Sequence, residues 1–480
     1  MRKEHDFLGE MELPADALYG IHSERARQNF PDSTPFHLDW LKAIGMVKHA
    51  CYQTVLVYIH AVTERYGSAR LPSYLTDVHV YDLFCEAAFE LSTGKYAEHF
   101  IVPAIQGGAG TSINMNVNEI LANAVLIKLG RQPGDYDYID PMVHANVFQS
   151  TNDVVPTALK VAAMQRLTKL EHAINGLRAS VERLESSSRQ VLRMAYTQMQ
   201  EAVPSSFGML FSTYSEALSR DWWRVSKCFE RIKVVNLGGG ATGTGLAIPR
   251  YYIMEVIPHL QRLSGLPVTR SENLPDTTQN LDSYVEVHAI LKALAVNLEK
   301  MSADIRLLAS DVRGKGELRI PSKQTGSSIM PGKVNPVVPE YVISVSHKVY
   351  SNDMLVSNLS AQGVLDLNPY LPVIGHAILD SLHLLEGAVD SLHHHVFNGL
   401  QLEPEISKEE VFRSPAITTA ILPLIGYRKA TEMALLMREE HLTVFEVNAK
   451  LGYLTEDKLA DVLKPEQLLQ LGYSLKDMSQ

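Results

Sequence analysis

One stretch of the sequence, residues 324–340, concentrates side chains that could do chemistry. It reads QTGSSIMPGKVNPVVPE and sets two adjacent serines, a lysine and an asparagine among glycines and prolines. Hydroxyl, ammonium and amide groups donate hydrogen bonds, and such donors suit a carboxylate or another small anion. Because proline and glycine disfavour helix, the stretch is predicted to be a loop. Taken alone, it predicts anion binding and no particular reaction.

Three further segments interrupt the helical pattern with clusters of Gly, Ser, Thr, Asn and Gln. They are QGGAGTSINMNVNE (106–119), HANVFQSTNDVVPT (144–157) and YTQMQEAVP (196–204). At a junction between a loop and a helix, these side chains and the positive end of the helix dipole together favour carboxylate binding. The same residue types also cap helices and form turns without any ligand. By themselves, the segments leave both interpretations open.

Two other motifs are better interpreted structurally. Gly238, Gly240 and Gly243 in NLGGGATGTG have the spacing of a dinucleotide-binding fingerprint, but no clear strand of a βαβ unit precedes them. A tight turn near a ligand or a subunit contact is therefore favoured. The adjacent residues His393, His394 and His395 would point in different directions on a helix, which favours a partly exposed surface over a metal site.

The elements that must position these segments are predicted to be mainly helical. Apolar residues recur every three or four positions along residues 164–184 and again along residues 287–308, which predicts long helices packed in a bundle. Residues 1–40 are predicted to be irregular, and residues from about 320 to 341 to form a loop before another helix. A change in composition near residue 400 indicates a small C-terminal domain.

The composition excludes several classes of function. The chain of 480 residues carries a formal net charge of −10, which argues against a nucleic acid or an anionic membrane as its main partner. Three cysteines without a CxxC motif favour buried thiols in a reducing compartment over a disulfide or zinc framework. The sequence has no apolar signal region and no apolar run long enough to span a bilayer, so we expect a cytoplasmic protein.

Taken together, these segments resemble the aspartase/fumarase superfamily, whose members eliminate an amine or water from succinyl-type substrates. GSSIMPGKVNP resembles the family signature. Five other segments occur along the chain in the family's order: DFLGEMELPADALYG, GGAGTSINMN, QSTND, NLGGGATGTGL and LTEDKLADVL. The resemblance implies a three-domain fold, with an N-terminal domain (1–147), a central bundle of long helices (148–400) and a small C-terminal domain (401–480). It also implies a homotetramer with a twenty-helix core, whose active sites are each shared by three subunits, and no cofactor or metal.

GGAGTSINMN and QSTND are more similar to the aspartase forms of these motifs than to the fumarase forms. The resemblance therefore implies a small amino-acid or dicarboxylate substrate, with reversible elimination of ammonia from L-aspartate to give fumarate. It implies that Asn152 meets the amino group. The carboxylate on which charge develops would be held by Thr111, Ser150, Thr151 and Ser328.

The signature also implies a catalytic base. Ser327 corresponds to the serine that acts as general base in the family, and the loop must lower its pKa because serine is a poor base in water. Lys333 and Asn335, with Thr197 from another subunit, would grip the second carboxylate. The prolines and glycines of the loop would then serve a mobile lid that excludes water.

The sequence departs from the family at informative places. Gln198 stands where many relatives have a histidine that can pair with a glutamate matching Glu340, and this favours an ammonia-lyase over a hydratase. Ala195 and Tyr196 replace a Gly–Arg pair, and the segment 205–209 and Gly240 also differ. The alternatives that remain are a related lyase for a different amine or a larger substrate, similar to ergothionase, then a fumarase, and finally a non-catalytic homologue.

Overall fold

The computed structural model describes residues 1–312 and 316–473, and this part of the chain is mainly helical, as predicted. Its sixteen α-helices are α1 (Ile21–Asn29), α2 (Leu38–Tyr66), α3 (Val78–Thr93), α4 (Thr111–Lys128), α5 (Thr151–Ser187), α6 (Phe207–Ile232), α7 (Arg250–Ser264), α8 (Leu274–Gln279), α9 (Asp282–Leu308), α10 (Val337–Ser360), α11 (Leu371–His395), α12 (Pro404–Arg413), α13 (Thr418–Glu440), α14 (Val444–Leu451), α15 (Glu456–Val462) and α16 (Pro465–Leu468).

Eight short strands form four separate pairs within the described residues. They are β1 (Arg2–Asp6) with β2 (Gly9–Leu13), β3 (Leu192–Thr197) with β4 (Gln200–Ser206), β5 (Val234–Val235) with β6 (Thr269–Arg270), and β7 (Leu318–Arg319) with β8 (Gln401–Leu402). The pair of β5 and β6 is parallel, and the other three pairs are antiparallel.

The chain forms two compact units, and each draws on three stretches of sequence. The first unit comprises residues 1–170, 224–292 and 348–384. The second unit comprises the described residues of 171–223, 293–347 and 385–480. The three-domain boundaries inferred from the sequence remain a prediction. Residues 313–315 of the predicted central domain and 474–480 of the predicted C-terminal domain lie outside the described residues.

The two predicted apolar stripes lie on long helices. The stripe at residues 164–184 lies on α5, and all of its positions except Leu184 are buried. The stripe at residues 287–308 lies on α9 and is buried throughout. A helix with apolar residues at every third or fourth position is stabilised mainly by packing that face against neighbours, which explains why these segments are helical over 37 and 27 residues.

The hairpin of β3 and β4 is the main element that the sequence did not predict. It covers residues 192–206, and its first strand packs Leu192 and Met194 into an apolar cluster with residues of α12–α15. The N-terminal region, predicted to be irregular, also contains a hairpin (β1–β2) and the nine-residue α1. No helix in residues 1–312 or 316–473 is long and apolar enough to cross a membrane.

Candidate active site

The first turn of α5 is capped by Ser150 and Asp153. Ser150 Oγ accepts a hydrogen bond from the backbone N–H of Asn152 at 3.2 Å, and Asp153 Oδ1 accepts one from the backbone N–H of Ser150 at 2.9 Å. A Ser-x-x-Asp motif starts a helix in this way because each side chain satisfies a backbone N–H that has no partner within the helix. The turn therefore presents Ser150, Thr151 and Asn152 at the positive end of a long helix dipole.

The N-terminus of α4 lies beside this turn. Gly110, in the left-handed conformation with φ 90°, precedes Thr111, the exposed first residue of α4. A Cβ atom built on Gly110 would lie 3.7 Å from Thr151 Cγ2. Because two helix N-termini adjoin here, their partial positive charges act at the same place, which is favourable for a carboxylate.

The side chain of Asn152 has a fixed orientation. Its Nδ2 donates to the carbonyl oxygen of Ala241 at 2.7 Å, and its backbone carbonyl accepts from Asn236 Nδ2 at 2.8 Å. A carbonyl oxygen only accepts hydrogen bonds, so Nδ2, and not Oδ1, must face Ala241. Within the described residues no donor contacts Asn152 Oδ1, and this oxygen is left to accept a hydrogen bond from a ligand.

The glycine-rich loop, residues 236–248, contacts the same turn. The backbone N–H groups of Gly238 and Gly240 donate to Asp153 Oδ2 at 3.2 and 3.0 Å. Gly243 has φ 82°, and a Cβ atom at this position would lie 2.3 Å from Pro275 N, so only glycine fits. The strand before the glycines, β5, is only two residues long. The glycines thus permit close backbone packing in a tight turn.

The signature loop, residues 324–336, surrounds the hydroxyl of Ser327 with backbone donors. Ser327 Oγ accepts hydrogen bonds from the N–H of Ile329 at 3.1 Å and the N–H of Met330 at 2.9 Å. Donors aimed at one oxygen stabilise negative charge on it, and they therefore favour the alkoxide over the hydroxyl. Ser328, the adjacent residue, is exposed to solvent.

The two ends of the signature loop are joined by hydrogen bonds. The N–H of Gly326 donates to the carbonyl of Lys333 at 2.8 Å, and Asn335 Nδ2 donates to the carbonyl of Gly326 at 2.9 Å. The loop lines a cleft of about 420 Å³ together with the residues before it. The Lys333 side chain is exposed, and no carboxylate of the described residues pairs with its ammonium. Lys333 and the second amide proton of Asn335 are therefore available to an anion.

Thr197 and Gln198 lie at the tip of the β3–β4 hairpin. Thr197 pairs with Gln200, so Gln198 and Met199 form a two-residue turn. Both turn residues have positive φ, 51° and 63°, as the twist of a two-residue hairpin requires. Side chains other than glycine, asparagine and aspartate are uncommon in this conformation. Thr197 and Gln198 are exposed at the tip.

Glu340 lies in the first turn of α10 and pairs with Arg306. Its Oε1 accepts a hydrogen bond from the Arg306 guanidinium at 2.8 Å, and both side chains are about half exposed. No contact between Glu340 and Gln198 occurs in residues 1–312 and 316–473. Glu340 is therefore engaged by an arginine of its own chain.

Two buried charged residues beside the candidate site were not singled out from the sequence. Asp153 and Lys48 are both shielded from solvent, and burial raises the pKa of Asp153 to about 7 and lowers the pKa of Lys48 to about 8. Lys48 Nζ donates to Asn118 Oδ1 at 2.7 Å and Gln149 Oε1 at 2.8 Å. The Ser-x-x-Asp spacing could have identified Asp153 as a cap, and the apolar face of α2 that includes Ile44 and Cys51 could have identified Lys48 as buried.

The structure brings the predicted site residues together in groups. Thr111 and Ser150–Asn152 lie at adjoining helix N-termini in the first unit. In the second unit Ser327, Ser328, Lys333 and Asn335 share the signature loop, and Thr197 and Gln198 share the hairpin tip. Within the described part of the second unit, no hydrogen bond or ion pair joins the hairpin tip to the signature loop. The described residues contain no group of three or more His, Cys, Asp or Glu side chains placed to hold a metal ion.

The chain is similar to known lyases over nearly its whole length. A family model described as lyase matches residues 9–351, and a model described as the C-terminus of fumarase C matches residues 417–470. An aspartate ammonia-lyase from a Bacillus species is 37% identical, and the match covers 98% of each chain. The aspartate ammonia-lyase of Escherichia coli strain K12 is 38% identical, with 99% of this chain and 98% of that protein covered. The crystal structure of a protein described as fumarate lyase:delta crystallin from Brucella melitensis has a TM-score of 0.89 at 35% identity, and covers 98% of this chain and 100% of its own.

Proposed function

The chain belongs to the aspartase/fumarase superfamily of lyases, and on that premise we propose that it is an aspartate ammonia-lyase. In the proposed reaction L-aspartate reversibly loses ammonia and becomes fumarate. Relatives at 37% and 38% identity with this activity in their names support the proposal. The observation that carries it is the pair of N–H donors, from Ile329 and Met330, on Ser327 Oγ.

Ser327 acts as the general base. Its alkoxide takes a proton from the carbon next to the side-chain carboxylate, and the electron pair of that C–H bond moves onto the carboxylate oxygens as an aci-carboxylate. When the charge returns, the carbon–carbon double bond forms, the C–N bond breaks and the amine leaves with its electron pair. The base must be deprotonated near neutral pH, and the two N–H donors favour that state.

Thr111, Ser150, Thr151 and Ser328 hold the carboxylate on which the charge develops. The first three lie at adjoining helix N-termini, where hydroxyls, backbone N–H groups and two helix dipoles all stabilise negative charge. The backbone N–H groups at a helix N-terminus are held by the helix itself, so they need little reorganisation as charge moves onto the carboxylate.

Asn152 receives the amino group. Its Nδ2 is held by Ala241, and so the atom offered to substrate is Oδ1, a pure acceptor. A substrate ammonium only donates hydrogen bonds and is complementary to that oxygen. This orientation favours an amine over a group that must accept a hydrogen bond.

Lys333 and Asn335, with Thr197 of another subunit, grip the second carboxylate and fix which end of the substrate faces the base. Lys333 has no competing carboxylate among the described residues, and it supplies the compensating charge. Gln198, neighbouring Thr197, is a neutral amide at any pH and contributes only binding and orientation. Glu340 has a supporting role on α10.

A superfamily lyase for a different amine or a larger substrate is the second candidate, because several residues near the hairpin depart from the family pattern. One of these departures has a local explanation, since Tyr196 packs against the apolar cluster of the second unit. Met209 at the start of α6 is exposed, and its Sδ accepts a hydrogen bond from Ser205 Oγ at 3.6 Å, so two of the departures contact each other at the surface. This pair supports the second candidate.

Substrate assays with purified protein test the proposal. L-aspartate, L-malate and N-substituted aspartates are incubated separately, and the ultraviolet absorbance of the unsaturated product is followed. We expect a signal with L-aspartate that Ser327→Ala abolishes without a change in thermal unfolding. A signal only with an N-substituted substrate would favour the second candidate, and a signal with L-malate alone would favour a hydratase. No signal from any substrate would contradict catalysis.

We also propose a homotetramer whose active sites are each shared by three subunits. Light scattering measures the mass in solution, and mixing two impaired variants tests the sharing. If Ser327 and Asn152 of one site come from different subunits, mixed tetramers of Ser327→Ala and Asn152→Ala contain some sites with both residues intact. Recovered activity after mixing is the expected result, and mixtures that stay inactive would contradict shared sites.

A further inference from the structure

Asp153 is a buried carboxylate whose two oxygens join two segments of the first unit. Its Oδ1 accepts the N–H of Ser150 at 2.9 Å, and its Oδ2 accepts the N–H groups of Gly238 at 3.2 Å and Gly240 at 3.0 Å. It therefore ties the first turn of α5 to the glycine-rich loop. A helix cap alone needs only the first of these contacts.

The segments that Asp153 joins are those that set the position of Asn152. Gly240 immediately precedes Ala241, whose carbonyl accepts from Asn152 Nδ2 at 2.7 Å. From the other side, Asn236 donates to the backbone carbonyl of Asn152 and to Thr278 Oγ1, at 2.8 and 3.0 Å. The direction of the Asn152 amide thus depends on where the glycine-rich loop lies relative to the helix turn.

Burial raises the pKa of Asp153 to about 7, and its three backbone N–H donors act against this effect by favouring the ionised carboxylate. Lys48 on α2 favours the ionised form as well, by a smaller amount. It also holds Gln149, the residue before Ser150, through a hydrogen bond of 2.8 Å. A buried carboxylate with three N–H donors and a nearby cation is satisfied, whereas an uncompensated one would be strongly unfavourable.

We propose that Asp153 is a positioning residue for the substrate amine: it holds the glycine-rich loop so that Ala241 turns Asn152 Oδ1 toward the amino group. Asp153 itself touches no reacting atom and acts through Asn152. The inference rests on the proposed function, because it deepens the role of Asn152 in that reaction. If Asp153 only stabilised the fold, its effect on binding would be the same with or without the Asn152 side chain. A positioning role through Asn152 requires that side chain.

A double-mutant cycle for ligand binding tests this dependence. The parent is Ser327→Ala, which does not turn over substrate, and calorimetry measures Kd for L-aspartate and for succinate, which lacks the amine. Asn152→Ala and Asp153→Asn are introduced separately and together. Asparagine preserves the size of Asp153 but accepts on one side only, so the helix turn and the loop are no longer both held.

We expect each single change to weaken L-aspartate about tenfold or more, as for one hydrogen bond to a charged group. The double variant should bind L-aspartate less than about twofold more weakly than Asn152→Ala does, because the effect of Asp153 passes through Asn152. Succinate lacks the amine, so its binding should be weakened much less than that of L-aspartate in every variant. The inference would be overturned if the two single effects on Kd for L-aspartate multiplied in the double variant. It would also be overturned if succinate lost as much affinity as L-aspartate.

Glu119→Gln is the matched control. Glu119 is a buried carboxylate of the first unit that accepts hydrogen bonds from the N–H groups of Gly20, His22 and Ser23. Replacing it should therefore destabilise the fold to a similar degree without affecting Asn152. We expect its Kd values to equal those of the parent. Thermal unfolding verifies that each variant folds, and Asp153→Ser replaces Asp153→Asn if the latter does not. A parent that fails to bind L-aspartate at all would refute the proposed function, and this inference with it.

Discussion

Replacing Met330 by proline removes one of the two N–H groups that donate to Ser327 Oγ. The bond from Met330 N is the shorter of the two, 2.9 Å against 3.1 Å from Ile329 N. Removal of one preorganised donor from a developing oxyanion typically costs about 2.7–4 kcal/mol, or a factor of about 10²–10³ in rate. Since 1.36 kcal/mol corresponds to one pKa unit, the same loss would raise the pKa of the serine by about two units or more.

The assay is the absorbance of fumarate formed from L-aspartate, recorded as kcat and KM across pH. The acid limb of kcat/KM reports ionisation of the base in the free enzyme. We expect Met330→Pro to lower kcat/KM at neutral pH by about 10²-fold or more and to move that limb upward by about two pH units.

Two control variants separate the lost donor from other effects. Met330→Ala removes the side chain but keeps the N–H, and it should stay within a few-fold of wild type. Gly332→Ala strains the loop, because Gly332 has φ 79°, yet it leaves both donors in place. Equal values of kcat/KM for Met330→Pro and Met330→Ala would refute the reasoning. A Met330→Pro variant with a low kcat/KM but an unshifted acid limb of the pH profile would also refute it.

Three further changes test other parts of the molecule. Gln198→Ala should raise KM for L-aspartate about tenfold through loss of one hydrogen bond to a carboxylate, with an unchanged pH profile because glutamine does not titrate; a shifted profile would show that a titrating group had been disturbed. Burial raises the pKa of Glu119 from 4.5 to about 7, so the folded state retains a proton that the unfolded state releases, and the free energy of unfolding should fall by about 3 kcal/mol at most as pH rises from 4.5 through 7. Denaturant titrations of Glu119→Gln across this window should show a shallower decline than the wild type, because the contribution of Glu119 is removed and that of Asp153 remains. Identical slopes for the two proteins would contradict this prediction. Gly243→Ala forces a Cβ against Pro275 at a positive φ and should lower the free energy of unfolding by about 2–4 kcal/mol, whereas an unchanged denaturation midpoint would show that the loop yields without cost.

Local patterns in the sequence predicted the helices and the loop between them. The stripes on α5 and α9 were recognisable because an apolar face repeats with the helical period. The proline-rich loop was recognised as well, but its predicted end near residue 341 was wrong, because α10 already begins at Val337. The hairpin was missed because Gln198 and Met199 do not have the Asn-Gly or Asp-Gly pattern that identifies a two-residue turn.

Contacts between distant parts of the chain account for what the sequence could not predict in the candidate site. Lys48 meets Gln149 across 101 residues, and Asp153 meets Gly238 across 85. The apolar residues Ile44, Cys51 and Val55 place Lys48 on the buried face of α2, but they do not indicate which distant residues it contacts. The orientation of Asn152 likewise depends on Ala241, 89 residues away, which is why the sequence indicated an amine ligand only by resemblance.

The hydrogen bonds that join the ends of the signature loop also affect the entropy cost of binding. Because Gly326 forms hydrogen bonds with both Lys333 and Asn335, the segment from Gly326 to Asn335 is folded before any substrate binds. Ordering an unstructured segment would cost about 1–2 kcal/mol for each residue. We expect a prefolded loop to lose less conformational entropy than an unstructured one when it covers a substrate. The free energy of substrate binding can then be used to stabilise the transition state rather than to fold the loop.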